Sequence, residues 1–331
     1  MRIGIAFCLS LAAGTAAACT PPVEPPDSGA QMAAWDAASR ATLLARGDAD
    51  SLFTAAVFEM GGSGLDVGQR LALLDRAAAI EPMAADIAAV SLAYCATTPG
   101  CDMAAHAARL AHAAPGDASA LTSQLETAQA AGDRDGVTAV LERMAAQLQF
   151  NDYYRAIAAR ADRGLAALPP MPGSRDAVEN QAMLEGYAYA IAAVAMPMRY
   201  GTLAKACKPD LGAYAERRAA CGRIGVLLQG SDTIIGNMIG LRLAEWAADS
   251  AAERTAIQQQ RRSIRWQMQN AYKDFDSCPD SNLAWLERRR AAGSERAALQ
   301  GELVRKGIPL TPPADWRDPS EAVRDTAAAQ H

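Results

Sequence analysis

Few side chains in this sequence can do covalent or acid–base chemistry. The 331-residue chain has seven cysteines, Cys8, Cys19, Cys95, Cys101, Cys207, Cys221 and Cys278, and three histidines, His106, His112 and His331. "YCATTPGC" puts Cys95 at the end of one expected helix and Cys101 at the start of the next. Antiparallel helix ends bring Cα atoms to the roughly 5–6 Å that a disulfide needs, and closing so short a loop adds about 2 kcal/mol in the chain-entropy picture. Two small buried thiols are the alternative. C-x5-C is not a metal-site spacing, and His106 is the only histidine within ligand reach in sequence. Cys207 and Cys221 flank "KPDLGAYAERRAA", where a bridge adds about 3 kcal/mol. With Cys278 there are three possible single bridges. Cys207–Cys221 is the expected one, leaving Cys278 as a free buried thiol near "DFDSCPD".

Catalytic patterns are scarce. His106 and His112 lie six residues apart, about 600° around a helix, and so face different ways. There is no i, i+4 histidine pair, C-x-x-C-H, G-x-S-x-G, Walker glycine loop or H-E-x-x-H. The expectation is no cofactor, no metal and no catalytic residue beyond one carboxylate. That carboxylate is Glu185, inside the apolar run "AMLEGYAYAIAAVAMPM" beside Tyr187 and Tyr189. Burial there would raise its pKa, as a general acid requires. The plainer reading is a glutamate hydrogen-bonded to a neighbouring helix. "RRSIRWQMQN" and "WLERRR" set Arg261, Arg262, Arg265 and Arg288–Arg290 beside Trp266 and Trp285. A basic helix with a Trp can lie on anionic headgroups; otherwise its Trp packs inward and its arginines meet carboxylates.

The first 18 residues have the layout of a secretory signal: Arg2, an apolar run from Ile3 to Ala13, and a small-residue ending. The run is too short to span a bilayer, which takes about 20 residues. "AAAC" at 16–19 resembles the lipobox of bacterial lipoproteins, although Ala16 stands where that motif usually has Leu. The resemblance implies acyl chains on Cys19 and, with Thr20 rather than Asp following, an outer-membrane lipoprotein facing the periplasm. Ordinary cleavage after Ala18 would instead leave a soluble periplasmic protein. "TPPVEPPDSGAQ" then forms an extended tether over 19–30.

The net charge is −5, and loss of Arg2 with the signal takes it to −6, which argues against nucleic acid as a partner. Ala, Leu, Arg, Glu and Gln dominate and no stretch alternates with period two, so the fold is expected to be all-α. Caps and breakers mark helices near 28–46, 50–60, 67–81, 83–95, 102–114, 117–131, 135–148 and 152–167, the last capped by Asn151 or Asp152. "LPPMPGSRD" at 168–176 is the clearest break. Longer helices follow near 174–196, 211–229, 232–248, 250–274 and 281–306, then an extended tail over 308–331 with Trp316 docked on the body.

Pro82 and Pro115 lie 33 residues apart, and the next boundary, "QFNDYY", about 35 further on. With Ala77, Tyr94 and Gly132 at matching places, the region 31–167 resembles tetratricopeptide (TPR-like) helix-pair repeats, two or three degenerate ones over 50–167 in which the signature Trp, the Gly next to it and several core alanines do not line up. The resemblance implies a curved antiparallel array with a concave face; the longer helices beyond the break, which lack the 33-residue spacing, are expected to form a second helical bundle over 177–307. The functional expectation is a lipid-anchored envelope scaffold for an unknown envelope protein or peptide, touching the membrane through Cys19. The alternative is an envelope enzyme acting on peptidoglycan or a related glycan with Glu185 as general acid. Helical lytic enzymes of the muramidase type work that way, but their surrounding catalytic motif is not visible here.

Overall fold

The computed structural model describes residues 28–58, 64–196, 200–209, 214–272 and 279–318. The signal segment, most of the tether, Cys8, Cys19, Pro197, Cys278, the tail beyond 318 and His331 lie outside them. Within the described residues the chain is all-α. The first half comprises α1 (Ser28–Arg46), α2 (Ala49–Val57), α3 (Val67–Ile80), α4 (Ala85–Cys95), α5 (Met103–Ala113), a 3-10 turn (Ala118–Leu121), α6 (Thr122–Ala130), α7 (Arg134–Ala145) and α8 (Tyr154–Leu165). The second comprises α9 (Ala177–Ala195), α10 (Tyr200–Ala206), α11 (Tyr214–Leu228), α12 (Ile234–Ala247), α13 (Ala251–Ala271), α14 (Pro279–Ala291) and α15 (Glu295–Arg305).

Short polar residues start these helices. Asp48, Asp102, Asp133 and Asp176 each accept an N–H from the first turn. Asp66 and Gln69 satisfy each other's backbone in a capping box at α3. Each cap contributes about 1 kcal/mol by occupying a donor the helix cannot use itself. Several expected boundaries differ: α10 has no counterpart among the expected helices, and the one expected over 117–131 is a 3-10 turn followed by α6. The single helix expected over 281–306 is two, because Gly293 takes φ +82° and Ser294 caps α15. Neither Asn151 nor Asp152 caps α8: the cap position is Tyr153 in the left-handed region at φ 58°, with no side-chain cap bond. The side chain of Asp152 has a different task, described below.

The buried side chains form three cores. The first draws on α1–α5, α8 and α9, with Leu43, Phe53, Ile87, Ile157, Leu165 and Ile191 fully or almost fully enclosed. The second joins α6 and α7 to α10 and α11, with Leu243 of α12. The third lies among α12–α15. The break drawn at 168–176 is therefore a bend in the chain and not a division of the core. Leu168 and Met171 are buried in the first core, Trp35 donates from Nε1 to the Pro169 carbonyl at 2.9 Å, and the Met171 N–H reaches Asn180 at 2.8 Å.

Helices α2 to α5 pack as successive neighbours. An open repeat stack would continue so and leave one face concave. Here α8 returns and lies on α2. The approach is close: a Cβ on Gly164 would sit 2.8 Å from the Thr54 Cβ and 3.0 Å from the Asp50 carbonyl. Arg160 of α8 ties the elements together. Its buried guanidinium contacts Asp50 at 2.7 Å, Glu81 at 2.9 Å and Asp86 at 2.5 Å.

Candidate functional site

Both expected disulfides are present among the described residues. Cys95 pairs with Cys101 across the Pro-Gly turn, with Cα atoms 5.4 Å apart. Cys207 pairs with Cys221 at 5.7 Å, tying the end of α10 to α11 inside the second core. Buried His106 stands beside the first bridge, and burial pushes its pKa down.

Glu185 is buried on α9, and Arg290 of α14 meets it at 2.6 Å. The contact is an ion pair, since neither carboxylate oxygen makes an aligned hydrogen bond. Burial raises the Glu185 pKa, with Arg290 opposing. The cavity against it holds about 60 Å³ and is walled by Arg155, Asp162, Tyr189 and Arg290. Liquid water occupies about 30 Å³ per molecule, so this is space for a water or two and not for a sugar ring. Glu185 is a buried partner for a neighbouring helix, through an ion pair and not through the hydrogen bond of the plainer reading.

The arginine-rich segments are paired in the same manner. Arg261 meets Glu245 at 2.5 Å, Arg265 meets Asp318, and Arg288 meets Glu302 at 3.5 Å. Trp285 is buried. Trp266 donates to the Pro309 carbonyl at 2.8 Å and stacks edge-on against Trp316, ring centres 5.6 Å apart. Trp316 is thus docked on the body, as expected. Residues 308–318 form a strap along α13, fastened by Gln267 to the Leu310 carbonyl at 2.9 Å and by Arg262 to the carbonyls of Pro313, Ala314 and Trp316.

Beside the strap opens an apolar groove of about 900 Å³. Its floor and walls come from the end of α9 (Ala193, Met196), the start of α12 (Ile234, Ile235, Met238), the last turns of α13 (Met268, Tyr272) and Trp316. Ile235 is 52% exposed and Met268 39%, large values for apolar side chains. The polar groups at the margin, Arg265, Asp318 and Glu295, are already in ion pairs. Glu295 also accepts the Ile234 N–H at 2.9 Å, and its partner Arg289 donates to Tyr154 at 2.8 Å and lies over the Tyr189 ring at 4.3 Å. Burial pushes the Tyr154 hydroxyl up to about 12.

A buried carboxylate fixes this wall. Asp152 accepts from Thr233 Oγ1 at 2.6 Å, from Ser231 Oγ, and from the Tyr154 N–H at 3.2 Å, joining the starts of α8 and α12. The carboxylate binds the Ser231 and Thr233 hydroxyls directly and all three residues are buried.

The groove is not legible in the sequence because five separated helices, α8, α9, α12, α13 and α15, and the strap contribute to it. One signal was there. On the otherwise charged α13, Ile264, Met268 and Tyr272 repeat at i, i+4 and i+8, an apolar stripe that continues past the buried Ile264 to an open end. Fold and site together define an all-α protein with an apolar groove between helices. No family model, no curated protein and no solved structure matches the chain.

Proposed function

We propose that the protein is an exported, lipid-anchored helical scaffold that holds an apolar segment of a partner protein or peptide in the groove beside the strap. The observation that carries the reading is the groove itself, about 900 Å³ in volume and lined mainly by apolar side chains. That volume lies within the roughly 300–1,000 Å³ typical of ligand sites. Three of its lining residues, Met196, Met238 and Met268, are methionines, whose flexible and polarisable side chains suit surfaces that adapt to a peptide's apolar face. Because the marginal charges are paired with one another, recognition would rest on apolar shape, with little selection for a charged ligand.

Helix pairs of the TPR-like kind would serve here as the framework, the binding face having moved from the concave side to the C-terminal helices. The two disulfides are compatible with an oxidising compartment. Among the described residues no helix is long and apolar enough to cross a membrane, and the anchor in this reading is acylated Cys19 at the outer membrane.

Photo-crosslinking in the native cell tests the binding role. A benzophenone amino acid at Met268 should yield a discrete protein adduct, and Ile235→Asp should abolish it. An adduct formed only with lipid, or one indifferent to Ile235→Asp, would defeat the proposal.

A further inference from the structure

The end of α4 and the start of α5 bring three soft-metal ligands together. Cys95 is almost fully buried, Cys101 is half-buried, and His106 is 7% exposed. A ring nitrogen of His106 and the two sulfurs all lie within 4.8 Å of one another. The His106 Nδ1 is buried without a hydrogen-bond partner. An unpartnered buried imidazole nitrogen is costly to leave so, and the nearby ion pair of Asp75 and Arg109, at 2.7 Å, is satisfied within itself. The geometry points to a redox-gated metal site: when the Cys95–Cys101 bridge is reduced, Cys95, Cys101 and His106 bind a thiophilic d10 cation such as Zn2+.

The oxidised bridge excludes the metal, because its sulfurs are neutral and weak donors, and the thiolate is the form that binds a metal. Reduction by an external dithiol breaks the S–S bond. Two electrons and two protons pass to the cysteines, and the dithiol leaves as its own disulfide. Binding of Zn2+ then releases both thiol protons and leaves two thiolates and a neutral imidazole around a dication. That assembly carries no net charge, which suits a buried place. Zn–S bonds of about 2.3 Å in a tetrahedral site need the sulfurs near 3.8 Å apart. Rotation about the half-buried Cys101 side chain can supply the separation without moving the helix ends. Three protein ligands would leave one position open, the pattern of sites that exchange a water or another ligand. The spacing rule for zinc motifs in sequence misses this set, because the Pro-Gly turn and the first turn of α5 do the converging.

The test uses the full mature chain, reduced with a phosphine under inert gas and titrated with Co2+. The reduced protein should develop a thiolate-to-cobalt charge-transfer band saturating at one ion per chain, and Zn2+ should displace it. The oxidised protein should show none. C95S/C101S should lose the band, and C207S/C221S/C278S should keep it. Loss of a ligand should cost at least the roughly tenfold in affinity that outer-shell changes cost elsewhere, so H106A should bind at least about tenfold more weakly. Where a variant fails to fold, the wild type decides: Zn2+ must shield Cys95 and Cys101 of the reduced chain from iodoacetamide, mapped by mass spectrometry. The proposal is overturned by a reduced wild type without the band, by a band surviving in C95S/C101S, by H106A binding as wild type, by unshielded thiols, or by loss of helical signal on reduction alone.

Discussion

Burial raises the Glu185 carboxyl above the ordinary glutamate range, while Arg290 pulls the other way and does not prevail. For a raised acid, folded and unfolded chains are both protonated below the unfolded pKa of about 4.3, and the group is neutral in its effect. As pH climbs, the unfolded chain ionises first, and the native state loses stability until the folded pKa is passed. Glu185→Gln should therefore match wild type in melting temperature below about pH 4 and equal or exceed it at pH 7. Glu302 has the opposite sign. Its hydrogen bond to Arg305 holds it below the usual range, so its contribution is complete above the unfolded pKa and fades as pH falls through the folded one. Glu302→Gln should lower the melting temperature at pH 7, the gap closing in acid. A melting series across pH that gave both variants the same sign would contradict these assignments. Arg160 is the more consequential residue. Removing it leaves the carboxylate of Asp86 buried and deprived of its 2.5 Å partner, and breaking a buried pair in that way costs about 3–5 kcal/mol. Arg160→Ala should show that loss in urea unfolding, and a loss below 1 kcal/mol would mean water replaces the guanidinium.

Elements were legible wherever a local signal fixed them. Asp66 and Gln69 announce α3 by themselves, and "YCATTPGC" announces both a turn and its bridge. The break between α14 and α15 was also written locally, in Gly293-Ser294, but the favourable helix formers on either side masked it. What could not be read was long-range. Asp152 looked like a helix cap; its carboxylate accepts the first N–H of α8 and also reaches the hydroxyls of Ser231 and Thr233, some 80 residues away. Nor could a helical period say that α8 would return to α2. Gly164 is the residue that permits this return. Alanine is the better helix former by about 1 kcal/mol, yet a methyl here meets Thr54 and the Asp50 carbonyl, and overpacking costs about 1–3 kcal/mol. The clash should win, so Gly164→Ala should lower the urea midpoint; a raised midpoint would show that the two helices can separate freely. The two bridges should also rank by loop length. Alanine at both Cys207 and Cys221 should cost about 3 kcal/mol, against about 2 for Cys95 and Cys101, as read from the same unfolding curves.

At the scale of the molecule, the proposed anchor and the proposed binding site lie far apart along the chain: acyl chains at Cys19, a groove formed chiefly by α9, α12 and α13. A Cys19→Ala protein should pass into the soluble periplasmic fraction with its groove intact, as followed by fractionation and the Met268 crosslink. Persistent sedimentation with membranes would remove the lipid from the proposal. The all-α class was plain from composition, but the partition of the chain was not, because prolines report where a backbone bends and say nothing of what the flanking side chains enclose. The first core has its own consequence. Since Trp35, Leu168 and Ile191 share one interior, a protease nicking the proline-rich bend would sever the polymer without parting its pieces. The two polypeptides should travel together through gel filtration and separate only in denaturant, and coexpressed halves split at that point should find each other.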